Sequence, residues 1–222
     1  MEQTLSRIAH DQTRVTPMSY AAYLALPNDN GIVEWVDGEA IFYMPPNFKH
    51  QDIATFLVAL LRFYVQFFKL GQIIVAPIEV KLSEEGSSRE PDILFIANEK
   101  SDIVTAQRII GAPDLVIEIV SPESVSRDFD EKFVEYQEAG VKEYWIIDPR
   151  ERRQRFEMYV RTAAGRLEPI QSVDGAYHSV AIRNFWLRPE WLWNMPDLQL
   201  TFAEIAHFPD SAIALLKELQ PK

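Results

Sequence analysis

Three residues of this chain have types and surroundings that could act on a phosphodiester: Asp92, Glu118 and Lys132. Glu118 stands in the run Leu115-Val116-Ile117-Glu118-Ile119-Val120. That run is apolar on both alternating faces, the pattern of a strand covered on both sides. A carboxylate there is costly unless it is paired, hydrogen-bonded or bound to a cation; the plainer alternative is a strand-end carboxylate meeting solvent or an arginine. Asp92 opens Pro91-Asp92-Ile93-Leu94-Phe95 after a polar loop, where Asp after Pro is also ordinary turn chemistry. Lys132 follows Asp128 by four residues, the spacing of a common surface pair on a helix. Singly, Asp92 and Lys132 read as structural. Together, two carboxylates on adjacent strands and a lysine from the next helix supply the parts that phosphodiester hydrolysis needs. Carboxylates hold a divalent cation that polarises a phosphoryl oxygen and lowers the pKa of bound water, and an ammonium opposes the charge building on the phosphate. Hard oxygen ligands favour Mg²⁺ or Mn²⁺ over zinc. The chain has no Cys, which excludes a thiolate zinc site, an iron–sulfur cluster and a thiol nucleophile.

The elements that must position these residues follow from hydrophobic period and turn chemistry. Met18 to Leu26 reads as a short helix stopped by Pro27 and Asn28, and two β-rich runs flank the hairpin signal Asp37-Gly38. From about His50 to Lys69, Ile53, Leu57, Leu60, Leu61 and Tyr64 recur at helical spacing, and Phe56, Phe63 and Phe67 widen the stripe toward a helix covered on more than one side. Gly71 is expected at its C-terminal turn. Strands are predicted over Ile73–Leu82, Pro91–Ala97 and Leu115–Ser121, the last stopped by Pro122. A helix follows over Ser126–Ala139 with Gly140 past its end, then a strand over Glu143–Asp148. The first three strands allow an antiparallel meander; the fourth, reached through a helix, is expected parallel to the third. The sum is a mixed sheet with helices on its faces, in the α/β or α+β class. Beyond Pro149, further strands are predicted over Phe156–Val160, Leu167–Gln171 and His178–Ile182, and a helix over Asp210–Gln220.

Composition bounds the function. The 222 residues suggest one domain, spanning 1–222, with its core at about 18–149 and hairpins and a helix over 150–222. A net charge of −11 argues against strong non-specific nucleic-acid binding, without excluding a local basic groove. The N-terminal run lacks the apolar core of a signal peptide, and no stretch of about 18 apolar residues exists; a cytoplasmic location without membrane contact is the expectation. Arg150, Arg152, Arg153, Arg155, Arg161 and Arg166 read as a solvated hairpin before a nucleic-acid track. Trp186, Trp191 and Trp193 read as core or dimer interface before a base-stacking platform. The doubly apolar first long helix and the C-terminal aromatics predict a homodimer.

The element order, with PD opening the second strand and Glu inside the third, resembles the PD-(D/E)XK nuclease superfamily. More closely, the chain resembles the Uma-two family of restriction-endonuclease-like proteins. The matching stretches are VDGEA with a following His50, REPDILFIA, APDLVIEIVSPES, Asp128 with Lys132, and YQEAGVKEYWIIDP. The resemblance implies a restriction endonuclease-like fold and a Mg²⁺- or Mn²⁺-dependent endonuclease acting on DNA, with RNA as a second possible substrate. It implies Asp92 and Glu118 as metal ligands. The superfamily pattern has a lysine two residues beyond the second acid; Val120 stands there, and Lys132 matches the family's helix lysine in its place. Glu39 and His50 match early family positions that complete the metal shell or contact substrate. Asp114 matches the position before the third strand, where a turn residue suffices, and Asp148 reads as structural. Val120 and the acidic charge also motivate a second reading, in which the nuclease fold is kept as a binding or assembly module with little catalysis.

Overall fold

The computed structural model describes residues 13–27, 31–121, 124–125 and 127–220. Asn28, Pro122 and Ser126, expected from sequence at element boundaries, lie outside the described residues, as does most of the N-terminal run. In chain order the elements are β1 (Arg14–Pro17), α1 (Tyr20–Leu24), β2 (Val33–Val36), β3 (Glu39–Phe42), α2 (Phe48–Phe67), β4 (Gly71–Val75), β5 (Val80–Lys81), β6 (Ser88–Arg89), β7 (Ile93–Ala97), β8 (Ile109–Ile110), β9 (Leu115–Ile119), α3 (Lys132–Ala139), β10 (Glu143–Asp148), β11 (Arg155–Arg161), β12 (Leu167–Pro169), β13 (Tyr177–His178), β14 (Trp186–Leu187), α4 (Leu198–Ile205) and α5 (Asp210–Glu218).

Two six-stranded sheets carry the fold. The central one runs β12-β11-β10-β9-β7-β4. As the short links predict, β4, β7 and β9 are antiparallel, and β10, reached through α3, is parallel to β9. Alternation along the strands divides the side chains between two cores. Ile93, Phe95, Ile117, Trp145 and Ile147 pack against Ile53, Leu57, Leu60 and Leu61 of α2. Leu94, Ile96, Val116, Val120 and Ile146 pack on the other face with Tyr136 of α3. Each fully buried Leu or Ile contributes about 2 kcal/mol. The second sheet, β1-β3-β2-β6-β5-β8, is built around the Asp37-Gly38 hairpin, where both residues take positive φ (47° and 86°), as a two-residue turn between twisted strands requires.

Several boundaries differ from the sequence reading. The run Ile73–Leu82 is divided between the sheets: β4 ends at Val75, Pro77 has no amide to continue the ladder, and β5 pairs with β6 and β8 instead. The left-handed residue after α2 is Lys69 (φ 53°), not Gly71. Gly71 begins β4, where a Cβ would lie 2.1 Å from the Ile96 carbonyl oxygen. Residues 127–131 form a π-helical turn that runs into α3. Phe56 is buried in α2, but Phe63 and Phe67 stay about half exposed (47% and 52%), packing against Phe202 of α4, with Phe67 also meeting Phe68 and Phe208. Trp186 and Trp191 are buried in the chain's own core, 5.2 Å apart. The strands β1 and β14 and the helix α4, capped by Asp197 through the Leu200 amide, were not anticipated.

The predicted strand His178–Ile182 stops after His178, because Glu143 captures the residues beyond it. This buried carboxylate of β10 accepts hydrogen bonds from the Val180 and Ala181 amides (2.6 and 2.9 Å), the Ser179 hydroxyl (3.1 Å) and the Trp145 indole (2.6 Å). The bonds turn residues 179–182 over the sheet. Glu143→Ala leaves these donors unpaired in the interior and should lower unfolding stability by about 3 kcal/mol in urea titrations; a loss under about 1 kcal/mol would show that water replaces the carboxylate.

Candidate active site

The site is built where β7 begins and β9 ends. Ile93 lies opposite Ile117 in the antiparallel register, so one step further puts Asp92 beside Glu118. The Asp92 carboxylate accepts the Ile119 amide at 2.7 Å and faces His50 Nε2 at 3.3 Å, both through Oδ2. Helix α2 supplies His50 in its first turn, where the Asn47 side chain caps the His50 amide at 3.0 Å. Glu118 shares its strand face with Val116 and Val120, so it points at α3. There Lys132 donates to Glu118 Oε1 at 3.0 Å and the Tyr136 hydroxyl to the same oxygen at 2.7 Å.

Lys132 is the centre of the arrangement. Its ammonium also lies 3.2 Å from Glu34 Oε1 and 3.2 Å from Asp128 Oδ1. Asp128 comes from the π-helical turn and accepts the Ser124 hydroxyl. Glu34, on β2 of the other sheet, is held by the Tyr43 hydroxyl (2.6 Å), Arg89 Nη1 (3.0 Å) and the Glu90 amide (3.2 Å). Arg89, itself fully buried, clasps Glu135 of α3 through Nε (2.6 Å) and Nη2 (2.7 Å). Glu34, Glu90, Asp92, Glu118, Asp128 and Lys132 thus line one cavity of about 60 Å³, with His50 and Tyr43.

The charges are not balanced. Burial disfavours the Lys132 ammonium, but Glu118, Glu34 and Asp128 outweigh it and hold its pKa well above that of an ordinary lysine. Lys132 is therefore a fixed cation. Glu34 is held down to about 2: burial would raise it, and Lys132 and Arg89 overcome that. Glu118, Asp128 and Glu90 go the other way. Burial lifts Glu118 well above the carboxylate range against the pull of Lys132, and the charges of Asp128, Asp92 and Glu34 add to the rise. Asp128 is raised by burial against Lys132 and Ser124. Glu90 is pushed up to about 8 by burial, with Glu34 and Glu79 adding to it. His50 is disfavoured as a cation by burial, yet its bond to Asp92 and that residue's charge raise its pKa above the usual value.

Among the described residues no three carboxylate or imidazole side chains are grouped as ligands of one metal ion; the carboxylates converge on Lys132. The donor set nonetheless fits a hard divalent cation, because the cavity is lined by more carboxylates than Lys132 and Arg89 neutralise, all of them oxygen donors. Oε2 of Glu118 and Oδ1 of Asp92 take no bond from the donors described above.

Of the residues anticipated from sequence, Asp92, Glu118, Lys132 and His50 come together. Glu39 does not: it is exposed on β3 opposite Val36 at the hairpin turn. The carboxylate that this hairpin delivers is Glu34, which the sequence reading missed together with Glu90, Tyr43 and Tyr136. A signal for Glu34 existed in its place on a half-apolar strand, VEWV. Asp114 ties strands together, accepting the Ala97 amide at 2.9 Å and pairing with Lys142 at 2.6 Å. Asp148 binds Arg150 at 2.7 Å.

A family model described as "Putative restriction endonuclease" (Uma2) matches residues 20–190. A solved structure described as a "putative nuclease belonging to DUF820", from Anabaena variabilis ATCC 29413, has a TM-score of 0.65 to this chain at 21% identity, covering 80% of this chain and 98% of its own. At that identity the likeness speaks for the fold alone, mixed sheets flanked by helices. No curated protein matches.

The charge arrangement has two measurable consequences. Since the Lys132 pKa is raised above 10.5, the ammonium itself stays charged at every pH below that value and discharges as pH rises through the folded-state pKa, where its contribution is lost. Lys132→Met should cost about 4 kcal/mol at pH 7, because it strands buried carboxylates, and the deficit should shrink toward pH 5 as they take up protons. Glu90 moves stability with pH in the same direction but in a lower window. Its folded pKa of about 8 lies above the unfolded one, so the native state loses stability as pH rises from 4.5 to 8. Glu90→Gln should therefore gain on wild type across that range in melting temperature, and a flat difference would contradict the assignment.

Proposed function

A chain matched over residues 20–190 belongs to the Uma2 family, and from that membership we propose that this protein is a metal-dependent endonuclease that hydrolyses phosphodiester bonds in DNA. The observation that carries the reading is the buried cluster in which Asp92, Glu118 and Lys132 line one cavity. Asp92 and Glu118 are the residues that would hold Mg²⁺ or Mn²⁺. When bound, the cation supplies polarisation of the phosphoryl oxygen and a water of lowered pKa. The rest falls to the chain. The Ile119 amide and His50 fix the Asp92 carboxylate. Tyr136 and Lys132 fix Glu118. Lys132 keeps its proton and so acts as a permanent positive charge facing the charge that grows on the phosphate, not as a base. Val120 is buried in the apolar cluster with Tyr136 of α3, and the lysine of the cluster comes from the helix. The homodimer rests on apolar side chains left exposed, Phe48, Leu215 and Leu219 among them, and light scattering reads it.

The second reading, a nuclease fold serving as a binding module, is favoured by the same Val120 and by the net charge of −11. The two separate on metal. Calorimetric titration with Mn²⁺ should show binding in the wild type and none in Asp92→Ala combined with Glu118→Ala. Mg²⁺ should raise the wild-type melting temperature by mass action, Glu118→Gln should abolish that rise, and cleavage of plasmid DNA against RNA should identify the substrate. Neutral or stabilising behaviour of Glu118→Gln with no Mg²⁺-dependent shift would leave the binding module.

A further inference from the structure

A second cavity, of about 700 Å³, runs along α2 and shares His50, Asp92, Ile32 and Pro46 with the acidic cavity. Its wall is one face of the helix. Half-buried Ala54, Val58 and Ala59 form an apolar floor, and exposed Gln51, Thr55, Arg62 and Gln66 follow at spacings of four, seven and four residues. Phe63 lines it too, 47% exposed and braced from behind by Phe202 at a centroid distance of 4.4 Å.

We infer that this groove receives an unpaired nucleotide of the strand whose phosphate lies at the Asp92–Glu118–Lys132 cluster. The phosphate's position rests on the nuclease reading; the base site rests on the groove itself. Pockets of roughly 300–1,000 Å³ with apolar walls and a few polar groups suit a ligand of this size. Amides and a hydroxyl offer donors and acceptors at once, which is what the edges of an unpaired base demand. An exposed, braced ring gives a base face something to stack on. A duplex is the poorer match, since its binding depends on neutralising many phosphates. Among the described residues that line the groove, Arg62 is the one permanent cation, in a chain of net charge −11.

The test is fluorescence anisotropy in EDTA, with a labelled single strand of about 12 nucleotides and the same sequence as a duplex. The single strand should bind at least about ten-fold tighter. Phe63→Ala should weaken it about ten-fold, within the range for losing one stacked base. Thr55→Glu, at an exposed helix position that tolerates the change, should weaken it similarly, while Gln199→Glu on α4 adds the same charge outside the groove and should leave affinity unchanged. Equal affinity for duplex, or indifference to both Phe63→Ala and Thr55→Glu, overturns the inference. So does a dimer that Phe63→Ala converts to monomer with strand affinity intact, which assigns the groove to a second copy. Wild-type hydrolysis of bis(p-nitrophenyl) phosphate with Mn²⁺, a diester with no base, reports on the catalytic reading alone. Groove-dependent strand binding without that hydrolysis supports the base site and removes the nuclease.

Discussion

A single buried ammonium ties this molecule together. Lys132 lies within 3.0 to 3.2 Å of carboxylates from three separate segments: Glu118 of the central sheet, Glu34 of the second sheet and Asp128 of the turn leading into its own helix. Burying any one of these charges alone is prohibitive, so each element is tolerated in its place only because the others are there. The register of both sheets depends on this. Shifting β9 by one residue would turn Glu118 to the α2 side and leave Lys132 facing an apolar strand. Arg89 repeats the device a few ångströms away, joining Glu34 to Glu135 and closing the second sheet over α3.

Such a cluster is a poor way to gain stability. Apolar packing of similar volume is often as stable or more so, and both faces of the central sheet already supply that packing. Here burial, with the neighbouring acids adding to it, holds Glu90 at a pKa of about 8 and Glu118 above its usual range, a standing cost in the native state. Perturbed carboxylates grouped in a cleft are the pattern of sites that bind cations or do chemistry, and the proposed endonuclease gives the cost a purpose. The adjoining groove extends the same logic. The acidic cavity is too small for more than the reacting group, while the space along α2 has the size and polarity for the part of a strand that does not react.

Much of the architecture was legible locally. The α2 stripe, the Asp37-Gly38 hairpin, and the apolar runs of β7, β9 and β10 each carry their own period, and burial only confirmed it. The errors fell where distant groups override local preference. His178–Ile182 has strand-like residues, yet Glu143 takes the amides of the run; Ile73–Leu82 reads as one strand until Pro77 forces its halves into different sheets. Lys69 took the left-handed turn expected of Gly71 because Gly71 was needed for close approach to β7.

The candidate site divides along the same line. Glu118, alone in an apolar run, and Asp92, opening the next strand, announce themselves because a carboxylate in such a setting violates the pattern around it. Lys132 needs the helix to be placed, but its distance from Asp128 in the chain already puts the two on one face. Glu34 and Glu39 cannot be told apart this way. Both are acids on short strands of one hairpin, and each alternates plausibly between solvent and core. Only the packing of the second sheet against α3, through contacts between distant segments such as Lys132 to Glu34, buries the first and leaves the second in water. Chemistry that a segment expresses by contrast with its own neighbours was set by the sequence alone. Which carboxylate faces Lys132, and how many charges share its cavity, was decided by tertiary structure, because electrostatic burial is a property of the surfaces that meet and not of the strand that supplies the charge.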